Sequence, residues 1–130
     1  MNTNATTTFG SIIGLKKDFE AQYKILHQHT FPGVLECISR SNISDYTIFL
    51  HNGILFSHMV YTGADFDADM KAMANDEVTR QWWQLTDNMQ QPFGFRKENE
   101  WWAGLSAWFS HYFNRVPGEE ILRHAYTLPA

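Results

Sequence analysis

Asp45-Tyr46-Thr47-Ile48-Phe49-Leu50-His51-Asn52-Gly53-Ile54-Leu55-Phe56-Ser57-His58-Met59-Val60-Tyr61 is the stretch on which the reading of this chain turns. Asp45 to His51 alternates and is rich in β-formers, Asn52-Gly53 supplies a two-residue turn, and Ile54 to Tyr61 reads as the returning strand. Asn-Gly favours the tight turn whose central residues both have positive φ, the turn that matches the twist of an antiparallel hairpin.

Upstream of the hairpin, Thr7 to Leu15 mixes β-branched and aromatic residues and predicts a first strand. Phe19, Tyr23, Leu26, Val34 and Ile38 then recur at helical spacing from Lys17 to about Ser41. Pro32 interrupts that run, so a kink or a restart is expected between Thr30 and Pro32. Beyond the hairpin, Phe66, Met70 and Met73 mark a helix over Asp65 to Asn75, and a further helical stretch runs from Glu77 through Leu85, ending near Asp87. Pro92, Gly94 and the charged run Arg96 to Glu98 mark a loop, and the aromatic-rich Trp101 to Phe113 predicts a last strand. Ile121 to Leu128 reads equally as a short helix, an extra strand or an arm on a partner subunit.

Strand, helix, hairpin, helix, strand is the order of a ferredoxin-like α+β unit, an antiparallel sheet with its helices on one face. The other face needs a cover, and two such sheets packed together would supply it as a dimeric α/β barrel. The expected organisation is a polar tail over residues 1–8, one domain over 9–113 and a C-terminal extension over 114–130 of no assigned role.

Bulk properties narrow the function. The chain has 130 residues, 44% of them hydrophobic, enough for one packed core. Its net charge of -4 and scattered Lys and Arg leave no basic face for nucleic acid or an anionic membrane. No apolar run approaches the length of a membrane span, and Met1 to Thr8 lacks the apolar region of a signal peptide, so a cytoplasmic location is expected. Cys37 has no internal partner and reads as a reduced structural thiol. Aromatic residues make up 15%, more than a core this small needs, which suits a site gripping an amphipathic ligand.

His27 follows Tyr23 by four residues, so on a helix the two share a face beside the apolar stripe. A partly desolvated imidazole suits proton transfer near neutral pH; a histidine bonded to a backbone carbonyl is the competing structural reading. His29 points elsewhere on the same helix. The six histidines lack metal-binding spacing, with no H-E-x-x-H and no C-x-x-C, and phosphate loops and nucleophile elbows are missing too, so no metal and no cofactor are expected. Trp82-Trp83 and Trp101-Trp102 are paired indoles, and neighbours on a helix diverge by about 100°, which lets the first pair line one concave corner. Indole faces stack on the C–H face of a sugar, although core packing is the commoner role of a large aromatic, and Tyr46 is equally ambiguous.

Together Tyr23 to His27, Phe31-Pro32, Asp45 to Leu50 and Gln81-Trp82-Trp83 resemble the L-rhamnose mutarotase family, which shows a Y-x-x-x-H helix motif, a following proline, an N/D-Y-x-I-F/Y-L strand and a W-W pair in that order. The resemblance extends over roughly Gly10 to His111. Gly63 to Phe66 and Glu100 to Ala103 look like the branch that includes L-fucose mutarotases. It implies a homodimeric ferredoxin-like enzyme that interconverts the anomers of a deoxyhexose by acid/base chemistry. His27 would be the proton donor, and Tyr23, Tyr46, Trp82 and Trp83 the sugar-binding residues. The partner base is unassigned, with Asp87 a candidate because it closely follows the Trp pair. Phe31-Pro32-Gly33 departs from the family's frequent W-P-E. Two other readings share this architecture: a cofactor-independent monooxygenase-like or haem-binding barrel, and a non-catalytic sugar-binding module.

Overall fold

The computed structural model describes residues 6–107 and 109. Its sheet is built on β1 (Thr7–Leu15), β2 (Ile43–His51) and β3 (Ile54–Tyr61). The β2–β3 hairpin closes at Asn52 (φ 52°) and Gly53 (φ 74°), the two positive φ angles its turn requires. His51 pairs with Ile54 across it. β3 also pairs antiparallel with β1, which is therefore central, and the sheet runs β2-β3-β1 with two short strands on the far edge. These are β4 (Gln90–Gln91), beside Gly14 and Leu15, and β5 (Ala103–Leu105), beside Gly10 to Ile12.

The expected long helix is divided. A 3-10 turn over Lys17–Phe19 leads into α1 (Glu20–Gln28), and α2 (Pro32–Arg40) restarts after a break. Proline disfavours the helical conformation in the residue before it, and Phe31 is extended at ψ 129°. Pro32 itself takes the first helical turn, where a missing N–H costs nothing. α3 (Phe66–Ala74) and α4 (Glu77–Asp87) start at true caps. The Asp65 carboxylate accepts from the Ala68 amide, and that of Asp76 accepts from both the amide and the hydroxyl of Thr79.

The last strand is shorter than its sequence suggests. Ala103–Leu105 is extended, but Trp101 and Trp102 form a bend ahead of it, not the start of a strand. The preceding loop satisfies its own polar groups: Arg96 donates to the carbonyls of Phe93 and Glu100, and the Glu100 carboxylate accepts from the Lys97 amide. That local bonding competes with sheet pairing up to Glu100. The rest of the expected strand, save Ser106, Ala107 and Phe109, and the whole of 114–130 lie outside the described residues.

The helices lie on one face of the sheet. Ile13 and Leu55, a cross-strand pair in register, are the two most buried large side chains, and Leu15, Tyr23 and Met89 complete the cluster around them. Phe66 of α3 stacks on Phe9 and meets Tyr61 edge-on. α2 and α4 approach closely at Gly33, where a Cβ atom would sit 2.9 Å from Val78 Cγ1. The departure from W-P-E therefore has a packing consequence: Gly33 lets α4 come near. Among the described residues no helix is long and apolar enough to cross a membrane.

Candidate active site

Between helices and sheet lies a cavity of about 330 Å³, lined among others by Tyr23, His27, Tyr46, Trp82 and Trp83. Small-molecule sites run from roughly 300 to 1,000 Å³, so this one suits a small ligand. All five residues singled out in the sequence meet here although they come from three elements. Tyr23 and His27 stand one turn apart on α1, Tyr46 projects from β2 on the face shared with Ile48, and the indoles come from α4. His29, expected on the same helix, lies just past the end of α1 and is exposed.

His27 is held on three sides. Its Nδ1 lies 2.9 Å from the backbone carbonyl of Tyr23. A carbonyl only accepts, so Nδ1 carries the proton and Nε2 is the nitrogen left for a ligand. The imidazole packs against the Tyr23 ring at 4.2 Å between centroids and meets Trp82 edge-on at 5.1 Å. Phe31 also meets Trp82 edge-on, at 5.1 Å. Burial lowers the His27 pKa below the ordinary imidazole value, and the hydrogen bond to Tyr23 only partly opposes it. The neutral ring, with a lone pair on Nε2, therefore prevails at pH 7.

Both tyrosines keep their protons. Burial raises the Tyr23 pKa, with a hydrogen bond from Gln90 acting the other way. Tyr46 is 43% exposed as a whole residue, yet its hydroxyl end is desolvated enough for burial, with Tyr23 beside it, to push its pKa up to about 12. Trp82 is buried, at 6% exposure, whereas Trp83 is 38% exposed and forms an accessible wall.

An adjoining chamber shares Tyr46, Trp83 and Gln90 with the first and adds Trp101 and Asp87. Asp87 lines this second chamber and not the one holding His27; partial burial raises its pKa. Gln90 escapes sequence reasoning altogether. It is 4% exposed, with its amide bonded at both ends, to the Tyr23 hydroxyl and the Trp101 indole. A glutamine after a helix carries no pattern that announces such a role. Among the described residues no three His, Cys, Asp or Glu side chains are grouped so as to hold a metal ion.

A family model described as L-rhamnose mutarotase matches residues 8–111. The L-rhamnose mutarotase of Flavobacterium johnsoniae is 33% identical over 79 residues, covering 58% of this chain and 71% of that protein. That of Bacteroides thetaiotaomicron is 30% identical over 71 residues, covering 53% of this chain and 65% of its own length. The crystal structure of an L-rhamnose mutarotase from Formosa agariphila superposes with a TM-score of 0.62 at 18% identity, covering 82% of this chain and 99% of the other. At that identity the superposition speaks for the fold.

Proposed function

The chain belongs to the L-rhamnose mutarotase family, and from that membership we propose that its cavity opens and recloses the ring of a deoxyhexose, L-rhamnose before L-fucose, with His27 as the proton-transferring group. Sugar mutarotation is an isomerase reaction that needs only acid and base. The observation that carries the reading is the anchoring of His27 Nδ1 on the Tyr23 carbonyl, which leaves Nε2 as a neutral acceptor in the cavity.

In the opening direction the Nε2 lone pair takes the proton of the anomeric hydroxyl while the C1–O5 bond breaks and O1 becomes the carbonyl oxygen. The imidazolium so formed donates that proton to O5. Both oxygens are bonded to C1, so one nitrogen reaches both in turn and no separate base is required. Rotation about C1–C2 and the reverse sequence close the ring on its other face. Trp83 and Trp82 hold the pyranose by its apolar face, and Tyr46 bonds a hydroxyl.

The protein acts as a homodimer in this reading. Phe49 and Phe56 are a cross-strand pair, Phe56 also pairs with Ile12, and Leu105 pairs with Gly10. Strand alternation turns this row away from the helices, and Phe49, Phe56 and Leu105 are exposed. An apolar sheet face of this kind suits self-association. A buried free thiol at Cys37 accords with a reducing, cytoplasmic setting.

Neither the oxygenase-like or haem-binding barrel nor the sugar-binding module is favoured by the family match. Saturation-transfer NMR on L-rhamnose and L-fucose tests the reading. The expected result is faster anomer exchange with the protein, lost in His27→Ala by a factor of roughly 100 or more in rate with a much smaller change in affinity. Exchange at the buffer rate with both sugars would overturn it.

A further inference from the structure

Trp101 Nε1 lies 2.8 Å from Gln90 Oε1, and Gln90 Nε2 lies 3.1 Å from the Tyr23 hydroxyl. The indole nitrogen only donates. Gln90 must therefore turn its oxygen to Trp101 and its NH2 to Tyr23, since the flipped amide would set two donors against each other. Backbone pairing of Gln90 with Leu15 holds the residue in place. The Tyr23 oxygen accepts from Gln90, so its own proton is left over, and no acceptor for it is found among the described residues. Tyr23 lines the cavity.

Building on the mutarotase reading, we propose that Gln90 is a positioning residue that makes Tyr23 a hydrogen-bond donor to the sugar ring oxygen, with Trp101 setting the orientation of the amide. O5 of a pyranose carries no hydrogen and can only accept, and it gains negative charge as the C1–O5 bond breaks. The anomeric hydroxyl has a proton to give. The site offers the opposite of each: a lone pair on His27 Nε2 for the hydroxyl and a hydrogen bond from Tyr23 for the ring oxygen, which stabilises its growing charge until the imidazolium delivers the proton. The Tyr23 carbonyl sets the first polarity and Trp101, through Gln90, sets the second.

Gln90→Glu tests this, because a carboxylate accepts from both Trp101 and Tyr23 and so withdraws the tyrosine proton from the cavity. At about pH 8 we expect kcat for L-rhamnose to fall on the order of tenfold with KM within about twofold. Relative to wild type at the same pH, the loss shrinks toward about pH 5.5, as the buried carboxyl protonates and regains a donor. Trp101→Phe, at a half-exposed position that leaves folding intact, frees the amide to flip and costs a few-fold. In a Tyr23→Phe background both losses should vanish to within about twofold, because there is no hydroxyl left to orient. Equal losses in both backgrounds overturn the proposal while leaving the mutarotase reading standing. The Tyr23 pKa, followed by NMR of its ring carbon, decides the polarity without any activity: the uncharged Gln90→Leu raises it if Gln90 donates to the tyrosine oxygen and lowers it if Gln90 accepts from the hydroxyl, and a lowered or unmoved pKa overturns the proposal even if wild type proves to be no mutarotase.

Discussion

His27 Nδ1 donates to the backbone carbonyl of Tyr23, 2.9 Å away in the preceding turn of the same helix. The four-residue spacing that makes the two side chains neighbours thus also selects the tautomer of the imidazole. Local sequence determines which nitrogen serves the ligand, and tertiary burial determines its charge.

That charge gives a pH prediction. Burial depresses the His27 pKa, so the neutral, proton-accepting form persists to lower pH than in a free imidazole. We expect kcat/KM to be flat from neutral pH upward and to fall by about tenfold per unit only below a pKa lying under about 6.5. The same shift affects stability. The unfolded chain takes up its proton first, so the contribution of neutral His27 is fully present above about 6.5 and is lost as pH falls through the folded pKa. His27→Gln should flatten that part of the stability profile, read by urea unfolding at a series of pH values. An acid limb at or above 6.5 would contradict the neutral-base assignment.

The two indoles should separate in their effects. Trp82 is buried against His27 and Phe31, so Trp82→Ala is expected to cost about 3–5 kcal/mol of stability and disorder the imidazole. Trp83 is partly exposed along the cavity, so Trp83→Ala should stay within about 1 kcal/mol in stability while raising KM several-fold. Chemical denaturation and sugar titration of the two variants make the comparison; an unchanged KM in Trp83→Ala would remove that indole from the substrate wall.

Much of this architecture is written locally in the chain. Alternation plus Asn52-Gly53 suffices for the hairpin, and Pro32 sets the restart at α2 after the break that follows α1, because both are decided by backbone chemistry within a few residues. The Tyr23–His27 pair is legible for the same reason. The divided edge is not: Trp101 and Trp102 have strand-like composition, but the bonds of Arg96 and Glu100 hold the stretch before them as a loop. Gln90 is least legible, since its partners lie 67 residues before it and 11 after it. The role of Gly33 likewise depends on Val78, which no spacing rule connects to it.

Gly33 supplies the next prediction. A Cβ there would meet Val78 at 2.9 Å from Cγ1 and 3.2 Å from Cβ and Cγ2, and a branched side chain so close to its own helix yields little without moving α4. Overpacking costs about 1–3 kcal/mol, against about 1 kcal/mol gained from the helix preference of alanine. Gly33→Ala should therefore lose up to about 2 kcal/mol and weaken sugar binding, because α4 carries both indoles. Val78→Ala added to it should recover most of the binding. A fully stable, fully active Gly33→Ala would show that the helices part without consequence.

The outer sheet face makes the final case. Ile48 lines the cavity, so its neighbour Phe49 points the opposite way, beside Phe56 and, farther along the sheet, Leu105. Phe49 is 58% exposed and Leu105 51%. A stable self-association needs about 1,000 Å² or more of buried surface, which this row and its flanking residues would have to form the centre of. Light scattering on the full chain should give twice the monomer mass, and Phe49→Asp should shift it to monomer, since a carboxylate cannot be buried there unpaired. The variant should keep its helix signal and its unfolding cooperativity, because Phe49 faces away from the core. A wild-type chain that runs as a monomer at micromolar concentration, or a dimer indifferent to Phe49→Asp, would show that this face is not the contact between subunits.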